Sequence, residues 1–238
     1  HQGESEGEPR RLDSPYNRVE DVKCAVDFLT TLPYIDRSRI GAMGICAGGG
    51  YVINAALTEK RIKVVAGVSP VDAGLSTRQG WTGGNTLESQ LKMMEQIAEA
   101  RTAEANGEAP KLVNYVPETV TDGLHPDFVE AHDYYRTSRG GHPNSDNLCL
   151  FKGFADRLAF NSFALIPDYL TQPLLVPAGW AKRPSNYRPM KRSCSWWRGQ
   201  PTYRSMMSIW AKPSENSRPF SGRICRTDET KESKFLFY

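Results

Sequence analysis

Apolar residues at Val19, Val22, Ala25, Val26 and Leu29 recur at the three- and four-residue spacing of one helix face, which predicts an amphipathic helix from about Tyr16 to Leu32, stopped near Pro33. Ile40 to Ile45 (IGAMGI) is a short apolar run between Asp36/Arg37 and a glycine cluster, the pattern of a buried strand. A small-residue helix is expected from about Ala47 to Leu57. A second buried strand follows at Lys63 to Val68, and a third at Leu174 to Val176 after Gln172-Pro173. Strand, helix and strand alternating in this way predict an α/β fold with a parallel sheet and crossover helices. Between the second and third strands lies a long polar insert at about 80–150. Within it, Leu87 to Ala105 is rich in helix formers and Pro126 to Tyr135 reads as a further short helix. Two readings of the insert stay open, a lid that shapes a substrate pocket and a solvated helical excursion.

Charge divides the chain at Val176. The part up to that residue holds 17 Lys/Arg against 23 Asp/Glu, and the remainder holds 13 against 4. Residues 177–238 scatter Trp, Tyr and Phe among Arg, Ser and Pro with neither a helical nor a strand period, so the organisation expected is one domain over 1–176 and a basic, non-periodic tail. Basic and aromatic residues together suit nucleic-acid binding. No periodic element presents these side chains on one face, however, and no nucleic-acid partner is expected. The five cysteines, Cys24, Cys46, Cys149, Cys194 and Cys225, are odd in number, irregularly spaced and without a C-x-x-C pair. That argues against a disulfide framework and a zinc site, and for a reducing compartment. No apolar run approaches the roughly 20 residues that span a bilayer, so a soluble, intracellular protein is expected. The opening run HQGESEGEPRRLDSP lacks an initiator Met and reads as a loop.

The segment Gly44-Ile45-Cys46-Ala47-Gly48-Gly49-Gly50 carries the chemistry, because a strand precedes it and a helix follows. In a nucleophile elbow the chain turns sharply and projects one side chain outward, which requires small residues two positions either side; Gly44 and Gly48 meet that requirement. Cys46 is then the nucleophile. The backbone N–H of Ala47 faces a developing oxyanion, and the helix dipole is expected to favour the Cys46 thiolate. A cysteine can instead simply fill a core, but the strand-to-helix position favours the nucleophile. A phosphate-binding loop fits less well. A dinucleotide fingerprint needs glycine where Cys46 stands, and a P-loop needs Lys then Ser or Thr where Gly50-Tyr51 stands. No cofactor and no metal are expected.

The segments HQGESEGEPR, RVEDVKCAVDFLTTLPYIDRSRIGAMGICAGGGYVINAA, VSPVDAG, EAHDYYRTSRGGHP and LTQPLLVPAG resemble α/β-hydrolases of the dienelactone-hydrolase-like kind. Within that family the likeness is to uncharacterised bacterial hydrolases and fungal polyketide transferases of toxin and secondary-metabolite pathways. It extends over most of residues 1–179. The resemblance implies an α/β-hydrolase fold that is incomplete at the N-terminus, with about 80 to 100 residues expected before His1, including the second oxyanion donor. It places Cys46 as nucleophile and His142, Tyr134 and Tyr135 in the substrate pocket. The reaction implied is hydrolysis or transfer of an acyl group from an ester, lactone or thioester, with a small-molecule or carrier-bound polyketide substrate. It leaves the compartment as cytoplasm or peroxisome.

In this fold an acid and then a His follow the nucleophile. The chain's His residues are His1, His125, His132 and His142, and none follows the Leu174 strand. The genetic code offers a reason. When the third base of each codon is read with the first two of the next, the Trp196–Trp197 junction must encode Val and Met206–Met207 must encode Asp. Pro201–Thr202 allows His and Ser205–Met206 allows Tyr. A Val, a Thr-His-Ile and a Tyr-Asp are all compatible with that frame. We therefore expect a frame shift shortly after Leu175. The alternative is a remnant that keeps part of the fold without catalysis, or a non-catalytic interaction protein.

Overall fold

In the computed structural model, which describes residues 1–176 and 234–237, strand β1 (Ile40–Ile45) pairs in parallel with β2 (Ile62–Val68), from Ile40 opposite Ile62 to Ile45 opposite Val68. The order across the sheet is β5-β2-β1-β6, all parallel neighbours, with β5 at Leu174–Leu175 and β6 at Lys234–Phe237. Parallel strands need crossover helices. Helix α1 (Pro15–Thr31) precedes β1, and α2 (Ala47–Thr58) connects β1 to β2. Val19, Val22 and Val26 of α1 are buried together, as their spacing predicts. They join Ala42 of β1, Val52, Ala55 and Ala56 of α2, and Ile62 and Val65 of β2 in the main core. Val22, Val26, Val52, Ile62 and Val65 are fully buried, each contributing roughly 1.5–3 kcal/mol.

Two compact units divide the chain. One comprises Pro15–Ser76 with the described residues from Phe160 onward; the other comprises His1–Ser14 with Thr77–Ala159. The first holds the parallel sheet. It also contains α7 (Ile166–Tyr169), and Gln172, which donates to the carbonyl of Ala56 at 2.9 Å.

The second unit has its own small core of Ile97, Phe151 and Leu158, against which Met93, Ala100, Val113 and Phe154 pack. Its elements are α4 (Leu87–Ala105), the antiparallel pair β3 (Leu112–Asn114) and β4 (Leu148–Leu150), α5 (Pro126–Tyr135) and α6 (Phe154–Ala159). Thr86 caps α4 by accepting from the N–H of Ser89. The side chain of Asn147 fastens the β3–β4 end, accepting from the N–H of Val116 and donating to Val116 O and to Glu118. Arg157 reaches Asp13 at 3.3 Å.

A short helix, α3 (Ala73–Gln79), follows the β2 end and was not expected from the pattern. The basic tail lies outside the described residues, apart from β6.

Candidate active site

Strand β1 ends at Ile45 and α2 begins at Ala47, so a single residue turns the chain. Cys46 does so at φ 56°, ψ −124°, a conformation that costs a side-chain-bearing residue on the order of 1–3 kcal/mol and survives only where its surroundings enforce it. The enforcing contacts are backbone ones. The N–H of Cys46 donates to Val68 O at 3.0 Å, and its carbonyl accepts from Gly49, Gly50 and Val71 at 3.1, 3.4 and 2.9 Å. The elbow is thus held between the first turn of α2 and the loop that leaves β2.

The glycines have separate reasons. A Cβ on Gly44 would lie 2.2 Å from the carbonyl oxygen of Gly48; one on Gly50 would lie 2.2 Å from that of Val71; one on Gly49 would lie 2.9 Å from Cβ of Pro70. Gly44 lets the helix start close to the strand, whereas Gly49 and Gly50 let the loop after β2 pack on the helix. The requirement for small residues thus extends beyond the two positions flanking Cys46.

The protonation of Cys46 differs from the expectation. The residue is exposed, yet desolvation by surrounding protein raises its thiol pKa above the ordinary value, and the opposing hydrogen bond from the N–H of Ala47 is the smaller effect. Desolvation wins over the helix terminus because it acts on the whole thiolate charge, while the helix offers one N–H and a partial charge. At neutral pH Cys46 is a thiol that needs a base.

Cys46 and Ala47 are adjacent at the elbow. Tyr134 and Tyr135 end α5 in the second unit, where their rings meet edge to face with centroids 4.9 Å apart. The Arg139 guanidinium lies 5.6 Å from the Tyr134 ring centroid. His142 accepts from the N–H of Asn144 through Nδ1 at 3.2 Å. It lines a cavity of about 590 Å³ with Gln2, Glu4, Arg10, Tyr115 and Asp146. His1, His125, His132 and His142 all belong to this second unit. Among the described residues no group of three or more His, Cys, Asp or Glu is arranged to hold a metal ion, and no helix is long and apolar enough to cross a membrane.

Sequence reasoning missed the loop Val68–Asp72 as the partner of the elbow, and with it Asp72 and Ser162. Asp72 directly before the helical run Ala-Gly-Leu-Ser is a cap signature that could have revealed α3. No local signal marks Ser162.

Residues 8–114 match the model of the prolyl oligopeptidase family, which spans β1, the elbow, α2 and β2. The crystal structure of the hypothetical protein PA2218 from Pseudomonas aeruginosa superposes with a TM-score of 0.69 at 32% identity, covering 75% of this chain and 56% of that one. The chain has an α/β-hydrolase-like fold. Among relatives of this hydrolase-fold chain, the uncharacterised protein YcjY of Escherichia coli (strain K12) is 37% identical over 179 residues, 75% of this chain and 58% of YcjY. The thiohydrolase aneE of Aspergillus aculeatus is 27% identical over 157 residues, 63% of this chain and 49% of aneE. The chain therefore spans only about half the length of these curated relatives.

Proposed function

We propose that this chain carries the nucleophile of an enzyme that hydrolyses or transfers acyl groups, with Cys46 as the attacking residue. The observation that carries the reading is the strained backbone of Cys46 at a strand-to-helix turn. A side chain so held is presented for attack rather than packed away. The similarity to a protein named a thiohydrolase supports a thioester among the substrates.

In the proposed reaction a base removes the Cys46 proton and the sulfur attacks the carbonyl carbon. The N–H of Ala47 then stabilises the oxyanion. Collapse expels the alcohol or thiol, which takes up the proton from the base, and leaves a thioester on Cys46. Water or an alcohol next attacks that thioester, the C–S bond breaks to release the acyl group as an acid or ester, and the attacker's proton returns to the sulfur to restore the Cys46 thiol. In this chain the proton acceptor is solvent, since the chain's own sequence holds Pro201 and Thr202 where a shifted frame would supply a His base that raises the rate. A carrier-bound polyketide in secondary metabolism, including toxin biosynthesis, is the substrate class this reading favours.

A second reading, a non-catalytic remnant, is favoured by the raised Cys46 pKa and by the lack of any His among the described residues of the unit that bears it. The two part on one experiment. The purified chain is incubated with an acyl thioester of N-acetylcysteamine and the modified peptide is located by mass spectrometry. An acyl adduct on Cys46 that turns over supports the enzyme; an unmodified Cys46 supports the remnant.

A further inference from the structure

Two segments meet at the elbow, and both are strained. Cys46 stands at φ 56° and, on the loop that leaves β2, Ser69 stands at φ 46°. The two are tied by the N–H of Cys46 to Val68 O and by the N–H of Val71 to the carbonyl of Cys46. Neither bond fixes where the loop itself sits. Its far end is Asp72, which is 7% exposed. One carboxylate oxygen accepts from the N–H groups of Gly74 and Leu75 at 2.9 and 3.0 Å, capping α3, and the other accepts from the N–H of Ser162 at 3.1 Å. The loop is thereby anchored to α3 and to the segment that follows Phe160.

We propose that Asp72 is a positioning residue for the nucleophile, holding the Val68–Asp72 loop so that the loop holds Cys46. The proposal rests on the reading of Cys46 as the attacking group. Asp72 does not carry protons in it, because both its oxygens are occupied by backbone donors. Its effect passes through Val71, whose N–H fixes the Cys46 carbonyl and whose own carbonyl lies where only glycine at position 50 leaves room. A loop freed at Asp72 lets the Cys46 backbone relax from its strained conformation. The sulfur and the Ala47 N–H then lose the relative placement that attack requires, and misplacement of about 1 Å is enough to cost roughly 10²-fold in rate.

The test uses the whole chain with p-nitrophenyl acetate as the acyl donor, measuring acetylation of Cys46 by peptide mass against donor concentration. Asp72→Asn and Asp72→Ser each keep one oxygen able to cap α3 and lose the second acceptor. Both are expected to lower the limiting acetylation rate at least about tenfold, with the half-saturating concentration within about twofold of the unaltered chain. Thr86→Ala, which removes the cap of α4 in the other unit, is expected to lower the melting temperature and leave the acetylation rate unchanged. Unchanged rates in cooperatively melting Asp72 variants would overturn the proposal. So would a change confined to half-saturation, or failure of both variants to fold, which would assign Asp72 to stability alone. No acetylation of Cys46 in the unaltered chain would instead overturn the nucleophile reading, and this proposal with it.

Discussion

Replacing Gly44 by alanine places a methyl group where the backbone of α2 already stands. The new Cβ would lie 2.2 Å from Gly48 O, 2.4 Å from Gly48 C and 2.6 Å from Gly49 N, whereas carbon contacts settle near 3.5–4.0 Å. The first turn of α2 must therefore retreat by about 1 Å or more to restore ordinary contact. Overpacking against side chains costs roughly 1–3 kcal/mol. Here the colliding atoms are backbone, and the same turn supplies the bonds from Gly49 and Gly50 to Cys46 O, each worth about 0.5–1.5 kcal/mol. The expected loss is thus about 3–5 kcal/mol. For a chain of this size, at about 2–4 °C per kcal/mol, the melting temperature should fall by roughly 6–20 °C. Circular dichroism melts read this directly. Gly84→Ala is the control, since its Cβ would meet only Thr82 Oγ1 at 3.8 Å, and it should melt with the unaltered chain. A Gly44→Ala variant melting within about 2 °C of the unaltered chain would refute the close-approach account of the elbow.

Other consequences follow from the same geometry. Ser162 is fully buried and its Oγ has no hydrogen-bond partner among the described residues, so Ser162→Ala should leave stability unchanged or raise it by about 1 kcal/mol; a drop in denaturation midpoint would show that the hydroxyl is satisfied in solution. Cys149 is buried in the second unit, and burial, aided by Asp13, pushes its thiol up to about 11. Because the folded chain holds this proton more tightly than the unfolded one, stability is complete below pH 9. As pH rises from 9 towards 11 about 3 kcal/mol is lost, which denaturant melts at pH 8 and 11 on the chain and on Cys149→Ala would detect as a shallower loss in the variant. For Cys46 the raised pKa predicts iodoacetamide alkylation still climbing above pH 9, whereas a plateau by pH 7 would mean an ionised thiolate.

The parts of the fold legible in the sequence are those whose residues carry their own period or bounding signals. Val19, Val22 and Val26 announce α1, and the apolar runs between turn residues announce β1 and β2. The elbow was legible because its need for small residues is local. What escaped depends on distant partners. Helix α3 has a short, mixed sequence and is begun by the Asp72 cap, and β3 and β4 are three-residue strands whose pairing depends on Asn147 and Glu118. The loop facing Cys46 could not be read, since Val68 and Val71 reach it only once β2 lies beside β1. The thiol's protonation was misjudged for a related reason: a helix N-terminus is visible in sequence, but the surrounding protein that desolvates the sulfur is not.

The most direct test of the account is peptide-resolved mass spectrometry of the chain after exposure to an acyl thioester, with Cys46→Ala alongside. The account predicts an acyl adduct on the Cys46 peptide, formed faster as pH rises, and no adduct at Cys24 or Cys149 on the same timescale. Equal acylation of Cys24 and Cys46, or an adduct that persists elsewhere in Cys46→Ala at the same rate, would contradict it.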